Sequence, residues 1–567
     1  MADILELTGG NPFRINAFAR AARTIEELPQ DVSEIDPKEL STIPGIGKGT
    51  AERITEFLET GQIAEHQQLA ATVPVGLLKL LAIPGLGPKT VAMLWKERGI
   101  TCEDDLRKAL DEGTLVGLRG MGEKKIENIR RNIEFISTAG QRARIGKAMP
   151  LALWLIHKLE KVKGVKKAAY AGSLRRGRET VGDIDLLVAA DTKDARRISD
   201  AFIKLIPDVE VLGSGETKTS IRVSEDAGGL QVDLRIVKPE SFGAALLYFT
   251  GSKEHNIELR ERAIRQKMTL NEYGLFKQDS QAMVAGTTEE EVYKALGLAW
   301  IPPELREARG EIDLAEANRL PKLVELSDIK AELHTHTTAS DGTWSIRELA
   351  LAAAERGFHT LAVTDHSRSQ VQARGLTIER LEQHIAAVRE VAAELKGTIT
   401  ILAGSEVDIL SDGTLDYPDS VLKELDVVVA SPHAALTQDS ARATQRLLAA
   451  IENPFVTILG HPTGRLIGRR EGLSPDIHAI CKAAAQRGIA LEINANHYRL
   501  DLRDNHVRVA LEAGAKIAIN TDAHGKVDLD ELIYGVLTAR RAGATKNDIV
   551  NCYSRTALLK WIRSTRT

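Results

Sequence analysis

The sequence predicts a multidomain α/β protein: helical segments first, then a mixed α+β domain, then a C-terminal barrel of seven strand–helix units. Three observations support this. A glycine-turn-helix pattern recurs in the first 145 residues, strands and helices alternate from about 146 to 315, and seven apolar strands alternate with amphipathic helices from about 330 onward. Repeated strand–helix alternation is typical of a parallel sheet that is closed, or nearly closed, into a barrel.

Composition narrows the class of protein. The chain has 567 residues, of which 43% are hydrophobic and 27% charged, so we expect several globular domains. It shows no apolar run of membrane-spanning length and no secretory signal, so we expect no membrane partner. Cys102, Cys481 and Cys552 are far apart, which favours a reducing cytosol. With a net charge of −4, nucleic-acid binding would have to come from local features.

The first zone contains three related segments. "LSTIPGIGKGTAERI" (40–54) is echoed by "LLAIPGLGPKTVAML" (80–94) and, more loosely, by "LVGLRGMGEKKIENI" (115–129). In each, a G-x-G turn precedes a helix whose N–H groups and dipole suit a phosphate. An ordinary packing unit of two helices is the alternative, but three copies favour helix-hairpin-helix binding of a nucleic-acid backbone. The predicted DNA contacts are Gly45, Gly47, Lys48, Gly85, Gly87 and Lys89.

Three carboxylates mark the middle zone. Asp183 and Asp185 stand two apart in "GDIDLLVA", and Asp233 lies in "LQVDLRIV", another apolar strand. Carboxylates on neighbouring strands repel one another unless a cation neutralises them, and oxygen ligands suit Mg²⁺. Two such ions can clamp the attacking and leaving oxygens of a phosphoryl transfer. The alternative is that Asp183 ends a strand and Asp233 pairs with Arg235.

Histidines and carboxylates follow six of the seven barrel strands. In a parallel barrel these strand ends share one rim, where sites form. A single histidine there is more simply a loop residue, but nine ligands together indicate metal. The nine candidates are His334, His336, Asp341, His366, Glu406, His433, His461, Asp522 and His524.

The ligand types in the barrel suggest hydrolysis. Nine ligands exceed the shell of one ion, so we expect two or three ions that share Glu406. Mixed imidazole and carboxylate ligands favour Zn²⁺ or Mn²⁺ over Mg²⁺. Such a cluster makes hydroxide from water and binds phosphate oxygens, which predicts phosphoester hydrolysis.

A family resemblance extends these inferences for residues 1 to about 315. "GS…RRG…GDIDLLV", "VDLRIV", "YFTGSKEHNIELRERA" and "LNEYGLF" occur in an order that resembles the nucleotidyltransferase core of family X DNA polymerases, the group of DNA polymerase beta. The resemblance implies that Asp183, Asp185 and Asp233 are catalytic ligands of Mg²⁺ or Mn²⁺. It implies the following dNTP-binding residues: Gly172, Ser173, Arg176, Gly182, Tyr248, Phe249, Gly251, Asn256 and Arg260.

The chain departs from this family at three positions. Val181 replaces a serine, so one triphosphate hydrogen bond is lost or replaced, and Lys253 replaces an aspartate. Arg53 occupies the position of the lyase lysine, and a guanidinium stays protonated and cannot form a Schiff base. Lys48 is the nearby alternative amine, or else a phosphate contact.

The pattern H-x-H…D, T-D-H, E, P-H, G-H, D-A-H is similar to the polymerase and histidinol phosphatase (PHP) family across 330 to about 565. The resemblance implies three ions. The implied ligand sets are His334, His336, Glu406 and Asp522; Glu406, His433 and His461; and Asp341, His366 and His524. A complete set argues against a purely structural barrel.

The order of these domains resembles bacterial and archaeal family X DNA polymerases with a C-terminal PHP domain. It implies gap filling in base excision repair, a Mn²⁺-dependent 3′–5′ exonuclease and abasic-site endonuclease action. We expect a monomer in the cytoplasm, associated with the nucleoid, that binds gapped or primer–template DNA and dNTPs. The alternatives are a small-molecule phosphoesterase with a DNA-binding arm, and a DNA-end scaffold with a structural barrel.

The expected domains follow from these zones. They are helix-hairpin-helix domains at 1–80 and 81–145, a nucleotidyltransferase palm at 146–240, a C-terminal polymerase subdomain at 241–315, a linker at 316–329 and the PHP (β/α)7 barrel at 330–567.

Overall fold

The protein is represented by a computed structural model. It describes the chain apart from residues 27–31, 33–34, 44–45, 75, 82, 84–85, 119–120, 124, 128, 131–132, 134–141, 224–228, 526 and 567. The chain forms two compact units, 1–140 with 468–470 and 141–467 with 471–567. Among the described residues, no helix has the length and apolar character to cross a bilayer.

The first unit is helical in its described part. Its helices are α1 (Ala2–Thr8), α2 (Pro12–Glu26), α3 (Lys48–Thr60), α4 (Ala64–Ala70), α5 (Gly76–Leu80), α6 (Pro88–Arg98) and α7 (Glu103–Asp111).

The repeated sequence segments share one local structure. Gly47 and Gly87 directly precede α3 and α6 and have nearly the same extended backbone angles. The apolar residue between the two glycines of each copy, Ile46, Leu86 or Met121, is buried. In the first two copies this buried residue, next to the glycine that precedes the helix, anchors the start of α3 and α6 in the core.

The palm contains a five-stranded sheet with the strand order β2-β4-β7-β6-β5. The elements of this region are β1 (Ala143–Arg144), α8 (Ile145–Leu159), β2 (Val165–Tyr170), α9 (Gly172–Arg175), β3 (Thr180–Val181), β4 (Asp183–Ala190), α10 (Ala195–Ile203), β5 (Glu210–Ser214), β6 (Lys218–Arg222) and β7 (Gln231–Val237). Strands β4 and β7 are parallel neighbours at the centre, and their apolar side chains form the core with α8 and α10.

A smaller α/β segment follows the palm. Its elements are α11 (Phe242–Thr250), α12 (Lys253–Arg265), β8 (Met268–Asn271), β9 (Gly274–Lys277), β10 (Met283–Ala285), α13 (Glu289–Ala295) and α14 (Glu311–Glu316). Strands β8 to β10 form an antiparallel meander.

The C-terminal part is a parallel seven-stranded sheet in sequential order. Its strands are β11 (Ala331–Glu332), β12 (Thr360–Val363), β13 (Thr400–Asp408), β14 (Val427–Ser431), β15 (Ile458–Leu459), β16 (Ala490–Asn494) and β17 (Lys516–Asn520). An isolated parallel bridge between Thr335 and Ala523 links the first strand to the last just beyond their carboxyl ends, so the barrel is nearly closed.

Helices surround this sheet. They are α15 (Ile346–Glu355), α16 (Ile378–Glu394), α17 (Asp419–Leu422), α18 (Ser440–Glu452), α19 (Ile477–Arg487), α20 (Asp504–Glu512), α21 (Leu532–Arg541) and α22 (Arg555–Ser564). Ser345, Thr377, Asp439 and Asp476 start four of them by accepting a backbone N–H of the first turn, which satisfies a donor that the helix cannot.

The palm and the barrel share a core. Ile467, Leu500 and Tyr534 of the barrel are buried with the apolar side chains of α8, β4 and β7. Because these barrel residues lie at the carboxyl ends of the strands or on α21, the palm packs close to the rim where the histidines project.

Candidate metal centres

The three predicted palm ligands lie side by side on two strands. Asp183 and Asp185 are on β4, Asp233 is on β7, and the strand register places Asp185 directly opposite Asp233. Gly172 packs against them: a Cβ there would lie 2.5 Å from Asp185 Oδ2, and its φ of 64° also favours glycine. Asp183 and Asp185 project from the same face of the apolar strand β4 because they stand two residues apart on it.

Burial and mutual repulsion disfavour ionisation of two of the three carboxylates. Burial, together with the charges of Asp183 and Asp233, raises the pKa of Asp185 to about 7. Burial likewise raises the pKa of Asp183. Burial opposes ionisation of Asp233 too, but hydrogen bonds from Lys218 and Gln231 outweigh it and lower the pKa. A divalent cation would supply the missing compensation.

The alternative pairing of Asp233 with Arg235 does not form. Asp233 Oδ2 lies 2.7 Å from Lys218 Nζ instead. The guanidinium of Arg235 sits over the ring of Phe249, 4.2 Å from its centroid. Phe249, a predicted dNTP contact, is thus held beneath the palm sheet.

Several predicted dNTP-binding residues contact one another. Arg176 donates to the carbonyl of Thr250, and a Cβ on Gly251 would lie 3.2 Å from Arg176 Nη1. Asn256 Nδ2 donates to the Tyr248 carbonyl at 2.7 Å. These contacts join α9 to the end of α11 and the start of α12, which bounds one side of the carboxylate cluster.

The remaining predicted nucleotide contacts flank this group. Ser173 lies in the short helix α9, and its carbonyl accepts from the Arg178 N–H at 3.1 Å. Arg260 Nε donates to the carbonyl of Asn256 at 3.3 Å. Gly182 immediately precedes β4, and a Cβ there would lie 3.6 Å from Arg142 Nη1. Arg142 was not among the sequence candidates.

Glu406 lies at the middle of the barrel's histidine cluster. Its Oε1 is 3.4 Å from His334 Nε2 and 3.3 Å from both His433 Nε2 and His461 Nε2. These histidines follow three different strands, so the barrel geometry alone brings them to one carboxylate. Burial opposes ionisation of Glu406, but the charges of His433, His366 and His334 outweigh it and hold the pKa of Glu406 well below its usual range.

The other oxygen of Glu406 faces a second group. Oε2 is 2.7 Å from His366 Nδ1 and 3.6 Å from His336 Nε2. Asp522, at the end of β17, is 2.9 Å from His336 Nε2 and 3.6 Å from His334 Nε2. The two histidines of the H-x-H pair therefore share Glu406 and Asp522.

Asp341 completes the cluster on its outer side. Its Oδ2 is 3.5 Å from His366 Nε2 and 3.4 Å from His524 Nε2. The His336 and His524 rings stack with centroids 4.2 Å apart. All nine predicted barrel residues thus converge on one pocket.

Four overlapping groups could each hold an ion. They are His334, His336, Glu406 and Asp522; His336, Asp341, His366 and His524; His366, Glu406 and His433; and His334, His461 and Glu492. The first group is one of the three ligand sets that the family resemblance implies. The second group is another of those implied sets, with His336 added. The last two divide between them the predicted set of Glu406, His433 and His461.

The unsatisfied atoms of this pocket fit metal binding. Both oxygens of Glu406, Oδ1 of Asp522 and Nε2 of His334 and His336 are buried and make no hydrogen bond among the described residues. Buried polar atoms are otherwise almost always hydrogen-bonded. Imidazole and carboxylate donors together suit divalent transition ions.

Sequence reasoning missed the carboxylates that orient these ligands. Glu492, on β16, accepts from His334 Nδ1 at 2.7 Å and lies 3.2 Å from His461 Nδ1. Asp408 binds His433 Nδ1. Such partners fix the ring that faces an ion. An acidic residue inside the apolar strand "IALEINAN" was the available signal, and it stands on the one strand to which no ligand was assigned.

The structure describes four of the six residues predicted to contact DNA. Gly45 and Gly85 lie outside the described residues. Gly47, Lys48, Gly87 and Lys89 stand at the N-terminal ends of α3 and α6, where the first N–H groups of a helix lack intrahelical partners. Arg53 is engaged with Glu65 and with the Gly49 carbonyl.

Four family models match parts of the chain. A helix-hairpin-helix domain matches residues 1–63, a SAM-like helix-hairpin-helix tandem 77–134, the DNA polymerase beta thumb 245–307 and the PHP domain 332–496. The thumb match covers the segment that contains Tyr248, Asn256 and Arg260.

Curated relatives cover the whole chain or its parts. The chain is 39% identical over 554 residues to "DNA polymerase/3′-5′ exonuclease PolX" of Bacillus subtilis, which covers 98% of this chain and 96% of that protein. It is 26% identical over 332 residues to DNA polymerase lambda of Rattus norvegicus, 53% of each protein. It is 31% identical over 231 residues to a probable phosphatase of Thermoanaerobacter, 39% of this chain and 89% of that protein.

Proposed function

Because this chain belongs to the PolX family of DNA polymerases with 3′–5′ exonuclease activity, we propose that its two metal centres catalyse opposite reactions at a DNA 3′ end. The palm centre extends the end and the barrel centre shortens it. The predicted family, fold class and enzyme class are confirmed by the matches to the helix-hairpin-helix, polymerase beta thumb and PHP models and to the Bacillus relative.

In the palm, Asp183, Asp185 and Asp233 would hold Mg²⁺ or Mn²⁺. Such ions would neutralise the incoming phosphates and stabilise charge on the attacking and leaving oxygens. Arg176, beside Gly251, would bind a triphosphate oxygen, as the family resemblance implies. The family resemblance implies that the Tyr248 ring lies beside the incoming sugar, and the hydrogen bond from Asn256 to the Tyr248 carbonyl holds the backbone of this segment.

In the barrel, the nine converging ligands would hold two or three ions, Mn²⁺ or Zn²⁺. Such ions would activate water for attack on a phosphodiester. Glu406 joins the groups, and Glu492 and Asp408 keep the histidine rings turned toward it. Asp341 and His524, which are the more exposed ligands, lie on the side that a DNA end would approach.

The proposal rests mainly on one observation: the chain carries a carboxylate-only cluster, in which burial and repulsion raise the pKa of Asp183 and Asp185, and a histidine-rich cluster with buried ligand atoms that make no hydrogen bond among the described residues. Gap filling in base excision repair and abasic-site cleavage follow from the same proposal. Lyase activity is not part of it, because Arg53 is occupied by Glu65 and is not an amine nucleophile.

Gapped DNA with a labelled primer tests this. Extension with dNTPs and shortening without them are measured in Mg²⁺ and in Mn²⁺, on the wild type, Asp185→Ala and His336→Ala. We expect Asp185→Ala to lose extension and keep shortening, and His336→Ala to do the reverse. Far-UV circular dichroism checks that both variants fold.

Two outcomes contradict the proposal. Extension that survives Asp185→Ala removes the palm centre from the reaction. Shortening that survives His336→Ala supports the structural-barrel alternative. The match to a probable phosphatase favours a second candidate, hydrolysis of phosphate monoesters by the same barrel centre, and a DNA end that bears a 3′-phosphate is the substrate that tests it.

A further inference from the structure

An arginine-lined cleft opens where the palm meets the barrel. Its volume is about 260 Å³, and its lining includes Arg142, Arg178, Arg309, Arg503 and Arg541 but only two carboxylates, Glu179 and Asp504. None of the predicted metal ligands lines it.

The positive charge of this cleft is only partly neutralised. Arg142 donates to the Thr180 hydroxyl and carbonyl, at 3.1 and 2.7 Å, and forms no direct ion pair among the described residues. Arg178 and Arg309 lie 3.8 and 3.6 Å from their nearest carboxylate oxygens, beyond a good hydrogen bond.

Both lining carboxylates are already engaged. Glu179 accepts two hydrogen bonds from Arg465, at 2.6 and 3.1 Å. Asp504 accepts from Arg541 Nη2 at 2.8 Å. In the described part of the chain, Arg503 Nε is buried and makes no hydrogen bond. The cleft therefore offers guanidinium groups that lack a full set of acceptors.

The chemistry of the cleft points to phosphate. Guanidinium groups bind phosphate oxygens in pairs, through a planar fork of donors. The helix α20 begins at Asp504, so its N-terminal N–H groups open on the same space. The volume is below that usual for a pocket that encloses a drug-sized ligand, about 300 Å³ or more. It suits one or two phosphate groups rather than a whole nucleotide.

The position of the cleft relates it to both reactions. Arg142 stands at its palm end, beside Gly182 and close enough to Asp183 to lower the pKa of that carboxyl against the larger effect of burial. At its barrel end, Arg503 and Asp504 follow the loop that leaves β16. A phosphate held here lies between the triphosphate-binding loop of the palm and the barrel.

We propose that this cleft is a phosphate-binding site, distinct from both metal centres. Its ligand is either the pyrophosphate that leaves the palm or a backbone phosphate of a DNA strand that runs from palm to barrel. The site goes beyond the function proposed above and does not depend on which ions fill the metal centres.

The test uses the full-length Arg178→Gln/Arg309→Gln double variant. Both side chains are partly exposed, at 44% and 31%, so the fold should tolerate the change. The control is Arg196→Gln/Arg442→Gln, which also removes two exposed arginines that each lie near one aspartate. Both measurements are made in EDTA, so that loss of catalysis cannot be mistaken for loss of this site.

The first measurement is calorimetric binding of inorganic pyrophosphate. The second is the salt dependence of binding to a duplex with a single-stranded 3′ tail, by fluorescence anisotropy. If pyrophosphate is the ligand, its Kd rises about tenfold or more in the test variant. If DNA is the ligand, the slope of log K against log salt falls by about 0.7 for each lost contact.

Either result in the test variant alone supports the site and identifies its ligand. The proposal is overturned if both quantities match the wild type, or if the control variant changes as much as the test variant. Failure of primer extension or shortening in the wild type would contradict the proposed function and leave this binding test readable.

Discussion

At the scale of single residues, Glu492 is the side chain whose role the structure adds most clearly. It holds His334 through Nδ1, and it also accepts the backbone N–H of His461 at 2.7 Å. With Nδ1 occupied, Nε2 of His334 faces Glu406. Glu492 is thus a positioning residue, not a group that touches substrate.

We predict that Glu492→Gln weakens Mn²⁺ binding and 3′–5′ shortening by about 10- to 100-fold, because the amide cannot accept from both rings. Primer extension should not change. Mn²⁺ affinity, measured by competition with a chromophoric chelator, separates this role from a general loss of folding. Normal Mn²⁺ affinity with slow shortening would mean that Glu492 acts on the substrate instead.

Arg499 lies beside the same centre and has a hydrogen-bond donor without an acceptor among the described residues. Its Nε is 3.8 Å from Asp522 Oδ2, and its Nη1 is buried without a hydrogen bond among the described residues. A guanidinium at a phosphodiesterase centre suits a phosphate oxygen. We predict that Arg499→Lys raises KM for a DNA 3′ end about tenfold and leaves Mn²⁺ affinity unchanged. Unchanged KM in steady-state shortening assays would contradict this.

The sequence predicted the metal ligands better than it predicted the carboxylates that orient them. His334 and Asp522 stand in short motifs, H-x-H and D-A-H, which indicate a metal once they are taken together with the ligands that follow the other barrel strands. Glu492 and Asp408 carry only the weaker signal of an acid in an apolar strand. Their role depends on which strands are neighbours and which way each side chain points, and barrel closure decides that.

At the scale of elements, the buried Glu289 at the start of α13 ties the thumb to the palm. Arg175 of the palm donates to both its oxygens, at 2.7 and 2.8 Å, and Arg306 does so at 2.7 and 3.1 Å. Burial opposes ionisation, yet these two guanidinium groups hold the pKa of Glu289 well below its ordinary 4.5.

We predict that Glu289→Ala lowers the free energy of unfolding by about 3–5 kcal/mol, because the buried Arg306 and the half-buried Arg175 both lose their carboxylate. The sign of the pH dependence follows from the lowered pKa. The stabilisation is complete above the unfolded pKa of 4.5 and falls as the pH drops below it. Urea unfolding from pH 7 to pH 3 should show a smaller acid loss in the variant; an equal loss would contradict the assignment.

Element boundaries were predicted unevenly. The apolar strands β7 and β13 lie within the segments expected from their composition, and β4 begins one residue before its expected segment, at Asp183. The exposed edge strand β5 (Glu210–Ser214) was not predicted, since it lacks an apolar face. Strands β11 and β15 are only two residues long, because the chain leaves the ladder early to bring His334 and His461 to the rim.

At the scale of the whole molecule, the sequence could not say whether palm and barrel meet. The segment 316–329 carries no strong period, and nothing in it predicts a contact. In the structure Leu323 bridges to Thr545, and Arg540 donates to the Val324 carbonyl at 3.0 Å. The packing depends on surfaces that come together from distant parts of the chain, which periodicity does not record. The domain boundaries and the monomeric state remain predictions.

One arginine of the barrel reaches the predicted nucleotide site. Arg541, on α21, donates to the carbonyl of Arg176 at 2.7 Å and to Glu307 at 2.8 Å. Glu307 in turn accepts from Arg176 Nε at 3.1 Å. The barrel thus sets the position of a side chain that is predicted to bind the triphosphate, more than 360 residues away in sequence.

We predict that Arg541→Ala raises KM for dNTP about 5- to 10-fold, in the range of ordinary coupling between sites, with a smaller change in kcat. The reason is that Glu307, freed from Arg541, can pair fully with Arg176 and hold it away from the nucleotide. Shortening of the 3′ end at saturating DNA should not change, since Arg541 is not among the barrel ligands. Steady-state extension on a gapped duplex measures the split.

Arg347→Ala is the control for the loss of a barrel arginine, because Arg347 forms an ion pair with Glu394 but is exposed and lies on α15 rather than against the palm. Hydrogen exchange supplies the structural readout. In Arg541→Ala, residues 176–180 and residues 500–504 should both exchange faster than in the wild type. In the control, neither segment should exchange faster. A raised KM without faster exchange would mean that Arg541 acts on the nucleotide directly. An unchanged KM with faster exchange would mean that the contact stabilises the junction but does not position Arg176, and the barrel would then influence extension only through the DNA that both centres share.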